Sequence, residues 1–182
     1  MSERYQQNAA VTTRYRKFAF TTIAATYFLI FVGGLVRVSG AGLGCPDWPK
    51  CFGRWIPPTD LSQLPIGFDP ATFNITLAWI EYVNRLIGVA IGLLILITAY
   101  LAYRHFRQNR SLFLSAQAAL VLVIFQGWLG GQVVTSVLMP IVVSVHMLVA
   151  LLIVSLLVFT AQRAYILEFA SAEANAGYTP SM

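Results

Sequence analysis

Long apolar runs separated by polar stretches dominate the chain, and this pattern predicts four membrane-spanning helices. The runs cover Phe18 to Val38, about Ala78 to Tyr103, Leu112 to Val134 and Met139 to Ala161. Each is long enough to cross the hydrocarbon layer of a bilayer, which takes about 20 residues of helix. Membrane β-barrels do not fit, because their alternating strands are about half this length. The sequence therefore predicts an all-α membrane protein built as a four-helix bundle.

The polar stretches divide the chain into three parts. Residues 1–17 form an N-terminal tail, whose first 15 residues we expect to be mobile. Residues 18–161 form the transmembrane domain, and residues 162–182 form a C-terminal tail. A long loop, residues 39–77, separates the first two helices. Its prolines and aromatic residues favour a folded cap over the bundle, since long structureless loops are uncommon in compact proteins. A plain interfacial loop of the same composition is the alternative.

Composition supports the assignment as a membrane protein and argues against nucleic acid as a partner. Hydrophobic residues make up 58% of the chain and charged residues 10%, and the mean hydropathy is +0.70. These values exclude a soluble domain. The net charge of +5 does not indicate nucleic acid, because the cations flank apolar runs and form no soluble basic face. Membrane lipid is the expected surrounding.

The positions of the cations predict the topology. They precede the first run, separate the second from the third, and follow the fourth: Arg14, Arg16, Lys17, Arg104, Arg107, Arg110 and Arg163. The positive-inside rule then places both termini in the cytoplasm and the loop outside. The first run is too long for a signal peptide and lacks a good cleavage site, so we expect it to be retained. The expected location is the inner membrane of a bacterium.

The only two cysteines, Cys45 and Cys51, enclose a short loop that contains two prolines. On the oxidising side of the membrane a disulfide between them is the first expectation. A metal site is less favoured, since no histidine is near in sequence. The bond could be purely structural, or strained and redox-active.

Three polar residues stand at the entrance of the second helix: Glu81, Asn84 and Arg85. A charge at the bilayer centre costs about 2.5–3.5 kcal/mol on insertion scales, so these groups need partners. Glu81 and Arg85 are four residues apart and can pair on one helix face. The alternative is an interfacial anchor, in which Arg85 reaches up to the lipid headgroups.

The other three helices carry polar residues at a similar depth: Arg37, Gln126, Gln132 and His146. At 1.5 Å per residue, His146 and Glu81 match within about a turn. The opposite halves of the helices are almost purely aliphatic. This asymmetry predicts a polar pocket open toward the outer leaflet, with His146 as a candidate ligand for a metal or haem iron. Hydrogen bonds between helices would also explain Gln126 and His146.

Four segments together resemble the haem A synthase family of cytochrome oxidase assembly proteins. They are the residues from Gly33 to Cys51, Glu81 to Arg85, Gly127 to Gly131 and Val145 to Met147. The Cys-Pro-Asp-Trp-Pro-Lys-Cys loop is the most specific of them. Members of this family usually have eight transmembrane helices in two similar halves, and this chain resembles the N-terminal half.

The resemblance implies an oxidoreductase that oxidises a methyl group of haem O to the formyl group of haem A. It implies a haem, either b-type or the substrate haem O. By the same resemblance Glu81 is the catalytic acid and His146 is the ligand of the haem iron. The guanidinium groups of Arg37 and Arg85 suit the haem propionates, and Asn84 and Gln126 complete the candidate cofactor-binding residues. It further implies a homodimer or pairing with a related four-helix chain, with contact to haem O synthase or cytochrome oxidase.

One position departs from the family pattern. Asn84 stands where the family has a histidine ligand, and the only other histidine, His105, is expected on the cytoplasmic side. A haem would be five-coordinate through His146, bound across a dimer, or absent. An open position suits chemistry at iron, whereas two histidines suit electron transfer. A non-catalytic haem-binding or assembly subunit, or a structural subunit, are the alternatives to an enzyme.

Overall fold

The computed structural model describes residues 2–176, which form four long helices and no strand. The helices are α1 (Ser2–Val38), α2 (Ile75–His105), α3 (Arg110–Thr135) and α4 (Pro140–Ala176). Each contains a segment long and apolar enough to cross a membrane: Ala9–Val38, Ile75–His105, Arg110–Thr135 and Pro140–Ala170. The prediction of an all-α protein with four membrane-spanning helices is confirmed.

Side-chain caps fix the start of two helices. The side chain of Asn74 accepts a hydrogen bond from the backbone N–H of Leu77 at 3.1 Å and begins α2. Asn109 accepts from the N–H of Leu112 at 3.1 Å and begins α3. Such caps satisfy N–H groups that have no partner within the helix.

Helices α1 and α4 extend beyond the apolar runs. Residues 2–15 continue α1 toward the N-terminus, and the mobility expected for this tail stays a prediction. The hydroxyl of Thr13 and the Nε of Arg16 donate to the carboxylate of Glu168 at 2.8 and 2.6 Å, which joins α1 to α4 near the chain ends. Likewise α4 continues to Ala176, while Met1 and residues 177–182 of the expected tails lie outside the described residues.

Each helix packs against the next, and α4 packs back against α1. We call the part of the bundle near both chain ends and the α2–α3 turn the inner half, and the part near loop 39–74 the outer half. The main core lies in the inner half, where Ile95, Leu112 and Leu157 are fully buried. Alanines between them allow the helices to approach closely, as is usual within membranes.

Hydroxyl pairs complete the inner half. The hydroxyls of Thr22 and Thr98 lie 3.2 Å apart between α1 and α2. Those of Ser115 and Thr160 lie 2.7 Å apart between α3 and α4. Each hydroxyl also donates or can donate to a carbonyl of its own helix. These polar groups are therefore satisfied within the protein.

The loop before α2 is folded onto the outer end of the bundle, as the cap interpretation predicted. Phe52 is buried, and the rings of Phe68 and Phe73 meet it edge-on at centroid distances of 5.4 and 5.2 Å. Gly44 lies directly on α2, since a Cβ there would come within 2.3 Å of the carbonyl oxygen of Leu77. A side chain at this position would lift the cap from the helix.

Candidate functional site

A buried ion pair lies where α2 enters the bundle beneath the cap. The side chain of Glu81 is buried, and one carboxylate oxygen accepts a hydrogen bond from the guanidinium of Arg85. The other oxygen accepts from the backbone N–H of Cys45 at 2.8 Å. The predicted pairing is therefore present. Both oxygens are held in place, and the burial of the acid is compensated by a cation and by an N–H dipole.

The remaining donors of Arg85 bind the cap. Its Nη1 donates to the carbonyl oxygens of Asp47 and Lys50, both at 2.9 Å, and its Nη2 also donates to that of Cys45 at 3.4 Å. With the bond to Glu81, all four N–H groups on the terminal nitrogens are used, which leaves only Nε. Arg85 thus points into the protein and fastens the cap to α2. It does not reach out to lipid headgroups.

The expected disulfide is present between Cys45 and Cys51. Within the loop it closes, the carboxylate of Asp47 accepts from the backbone N–H groups of Phe52 and Gly53 at 2.6 and 2.9 Å. These two residues have φ angles of 53° and 71°. Residues other than glycine rarely adopt such positive φ angles. Asp47 therefore stabilises the turn that returns the chain after the disulfide.

The indole of Trp48 connects the same loop to α3. A Cβ at Gly131 would lie 3.0 Å from two atoms of the ring, so the glycine leaves room for the indole. Sequence reasoning missed this contact with Trp48. A tryptophan between the cysteines and a glycine pair at the outer end of α3 was the available signal.

Three helices bring one polar side chain each to the outer half. Asn84 lies on α2, Gln126 on α3 and His146 on α4. The Nε2 of Gln126 donates to the backbone carbonyl of His146 at 2.8 Å. A Cβ built on Gly130 would lie 3.7 Å from Cε1 of His146, so the imidazole rests beside the small residues of α3. The predicted hydrogen bond between helices thus exists, but it uses only the amide nitrogen of Gln126.

The opposite polar atoms of these side chains are buried without a partner. Among the described residues, four buried side-chain atoms make no hydrogen bond: Asn84 Oδ1, Gln126 Oε1, His146 Nδ1 and the hydroxyl of Tyr15. Three of the four lie in the outer half, one each on α2, α3 and α4, and the term cluster denotes these three side chains. A buried polar atom without a partner costs about 1–3 kcal/mol, and most such atoms in proteins are bonded. The cluster is suited to a ligand that supplies the missing contacts.

Glycines leave space on the neighbouring helices. A Cβ built at Gly33, Gly34, Gly92 or Gly127 would meet no heavy atom within 4 Å, apart from its own helix and chain neighbours. Gly88 of α2 faces Leu29 of α1, with a distance of 3.9 Å from its added Cβ. Small residues at such positions allow a flat ligand to approach the backbone.

The structure does not bring every predicted residue into the cluster. Arg37 is exposed near the end of α1, and within residues 2–176 its side chain makes no hydrogen bond or ion pair. Gln132 borders a separate shallow cavity of about 260 Å³ between α3 and α4, together with Trp128 and Val145. His105 ends α2 in the inner half, as expected, and takes no part in the site.

Residues 16–181 match the family model described as cytochrome oxidase assembly protein. The chain belongs to the cytochrome oxidase assembly protein family. The recognition from the disulfide loop and the helix motifs is thereby confirmed. No solved structure gives a significant match.

Relatives in this family include several proteins named Heme A synthase. That of Shewanella oneidensis is 38% identical over 139 residues, which are 75% of this chain and 41% of that protein. That of Alkalihalophilus pseudofirmus is 32% identical over 122 residues, 66% of this chain and 36% of the relative. That of Geobacillus kaustophilus is 27% identical over 158 residues, which are 81% of this chain and 44% of that protein. The chain spans about two fifths of the length of these curated relatives, which fits a single four-helix half.

Proposed function

We propose that this chain is a haem A synthase-like membrane oxidoreductase that oxidises a methyl group of haem O to the formyl group of haem A. The observation that carries the proposal is the cluster of unpartnered atoms on Asn84, Gln126 and His146, which lies in the same outer half as the buried carboxylate of Glu81. The names of the relatives supply the product, haem A, and haem O as the substrate follows from the family resemblance.

The residues present fit a haem. The cluster offers one imidazole and two amides, and the described residues contain no group of three histidine, cysteine or acidic side chains that could hold a bare metal ion. A porphyrin already supplies four ligands to iron, so one imidazole is enough to hold it. The open space at the glycines of α1, α2 and α3 suits a flat macrocycle.

Each residue then has a distinct task. His146 would hold the haem iron, and the unpartnered amide oxygens of Asn84 and Gln126 would offer further polar contacts to the bound group. Because Arg85 is committed to the cap, Arg37 is the better partner for a propionate. When bound, the haem supplies the iron centre and the methyl group at which oxidation takes place.

Glu81 accepts protons that the reaction releases. Conversion of a methyl to a formyl group takes up one water and releases four protons and four electrons, and the electrons leave to an acceptor outside this chain. A carboxylate held by Arg85 and by the N–H of Cys45 is a fixed proton acceptor. With Asn84 in place of a second histidine, His146 would be the one imidazole that the outer half of this chain offers a haem, which would suit oxidation better than electron transfer.

The same proposal covers the setting of the protein. Both termini lie in the cytoplasm and the cap lies outside the inner membrane, in line with the cations at the inner end. A second copy, or a related four-helix chain, supplies the other half that longer relatives carry in one polypeptide. Haem O synthase and cytochrome oxidase are the proposed neighbours in haem delivery.

The test is co-expression with a source of haem O, followed by chromatography of the haems extracted from purified protein. Haem A or its hydroxylated precursor above the host background supports the proposal. His146→Ala is expected to abolish the haem absorbance, whereas the matched control His105→Ala keeps it. A spectrum that survives His146→Ala would show that another group holds the iron.

A second candidate function is favoured by Asn84. A haem-binding or assembly subunit without catalysis would retain unconverted haem B or haem O in the same experiment. The variant Asn84→His separates the two functions. A gain of product indicates a non-catalytic chain that has lost a haem ligand, whereas a loss of product indicates an active enzyme that is adapted to the amide. Protein free of haem in a haem-replete host would instead indicate a structural subunit.

A further inference from the structure

The inner end of the bundle has a polar cavity that haem chemistry does not use. Its volume is about 520 Å³, and it lies at the turn between α2 and α3. Thr12 of α1 and Leu167 of α4 close its sides, and the buried ring of Phe106 lies in its wall. The feature is independent of the cluster around His146, which lies in the outer half.

Two arginines of this cavity have no acidic partner. Arg104 and Arg107 line it and are exposed, and neither takes part in the two ion pairs found within residues 2–176. The guanidinium of Arg107 lies 4.7 Å from the ring centre of Tyr103. This contact orients the guanidinium through its flat face and leaves its N–H groups available.

Nearby groups favour an anion further. Helix α3 begins at the cavity, and Asn109 caps it by accepting from the N–H of Leu112. The positive end of its dipole therefore faces the same turn. The acid next to Leu167 is Glu168, and it is engaged by Thr13 and Arg16.

The position relative to the membrane indicates which anion. The spanning segment of α2 ends at His105 and that of α3 begins at Arg110, so the cavity lies at the membrane boundary. Tyr100 and Tyr103 precede the cavity on α2, Leu114 follows it on α3, and all three side chains are exposed. A lipid bound here would place its headgroup in the cavity and its chains along these side chains.

We propose that this cavity binds the phosphate of an anionic phospholipid through Arg104 and Arg107. Basic pockets between transmembrane helices suit such headgroups, and the guanidinium fork matches phosphate oxygens with paired hydrogen bonds. A free phosphate ion would share this chemistry but would make no use of the apolar surface beside the cavity.

The test is a lipid titration of the full chain in mild detergent, followed by native mass spectrometry. Phosphatidylglycerol is expected to bind about tenfold or more tightly than phosphatidylcholine with the same chains. The double variant Arg104→Gln with Arg107→Gln is expected to remove this preference. The matched control Arg14→Gln with Lys17→Gln removes the same amount of positive charge from α1, at the same end of the bundle. It should change the affinity for phosphatidylglycerol by less than about threefold.

Three results would overturn the proposal. Equal losses in the two double variants would mean that binding follows net charge only. An unchanged affinity in both single variants, Arg104→Gln and Arg107→Gln, would exclude the arginines even if the double variant failed to fold. Displacement of the lipid by an excess of inorganic phosphate would assign the cavity to a soluble anion.

Discussion

The inner and outer halves of the bundle are made from the same four helices but are completed in different ways. In the inner half, large side chains such as Ile95 and Leu157 are fully buried, and the hydroxyls of Thr22 and Thr98 satisfy each other. In the outer half, polar atoms of Asn84 and His146 are buried without partners, and a loop outside the helices closes the end.

This difference separates what folding requires from what function requires. Lipid is as apolar as leucine, so helices in a membrane associate through close packing and hydrogen bonds between them. The inner half meets both conditions by itself, with one exception among the described residues, the unpartnered hydroxyl of Tyr15. The outer half leaves about 1–3 kcal/mol uncompensated for each unpartnered polar atom, and a bound ligand is the simplest compensation.

The largest expected effect comes from the acid of the outer half. Glu81→Gln should lower turnover of haem O by about 10²–10⁴-fold, because the side chain loses its capacity to accept a proton. Haem binding, followed by visible absorbance, should remain. The control Glu168→Gln removes a carboxylate from the inner half and should leave turnover nearly unchanged. Equal product formation by Glu81→Gln and the unmodified chain would exclude the proposed proton transfer.

In the inner half, Leu157→Ala should lower the free energy of unfolding by about 2–5 kcal/mol, since it creates a cavity in a packed region. The haem affinity of the protein that remains folded should not change. Unfolding in detergent, followed by circular dichroism, measures the first quantity, and a haem titration measures the second. A large loss of haem affinity at full folding would show that the two halves are coupled.

The contact between cap and α3 gives the third prediction. Gly131→Val should cost about 1–3 kcal/mol, because Trp48 must move away from the added side chain. Hydrogen exchange in the loop should then become faster. Gly127→Val is the matched control, since open space surrounds Gly127. If both variants leave the loop equally protected, Trp48 does not hold the cap.

The smallest expected effect is a change in stability that has opposite signs for asparagine substitutions in the two halves. Asn84→Leu should leave the stability of the haem-free protein unchanged or raise it by about 1 kcal/mol, because it removes an unpartnered oxygen. Asn109→Leu should lower stability by about 1 kcal/mol, since it removes a helix cap. Thermal unfolding of both variants compares the signs. A destabilisation by Asn84→Leu as large as that by Asn109→Leu would mean that Asn84 has a structural partner.

Local pattern was enough for part of this architecture. The length of the apolar runs predicted the four membrane-spanning helices, and the spacing of four residues predicted the ion pair between Glu81 and Arg85. The expected location of the cysteines on the oxidising side of the membrane predicted the disulfide. The concentration of polar residues in the outer half was also visible in the sequence, because depth along a straight helix follows from residue number.

Contacts between distant segments were not predictable in this way. The bond between Arg16 and Glu168 joins residues that are 152 positions apart in the chain. The contact of Trp48 with Gly131 requires the folded path of the loop. The bonds from Arg85 to the cap end on backbone carbonyls, which every residue has, so no side-chain pattern marks them.

That last feature makes the cap unusually tolerant as a place for a reporter group. Arg85 binds the carbonyl of Lys50, while the side chain of Lys50 is exposed and only approaches the ring of Trp55. A fluorophore attached at position 50 would therefore sit on the outer surface without removing a hydrogen bond from the clamp. It would allow loosening of the cap during turnover to be followed in real time on the intact protein.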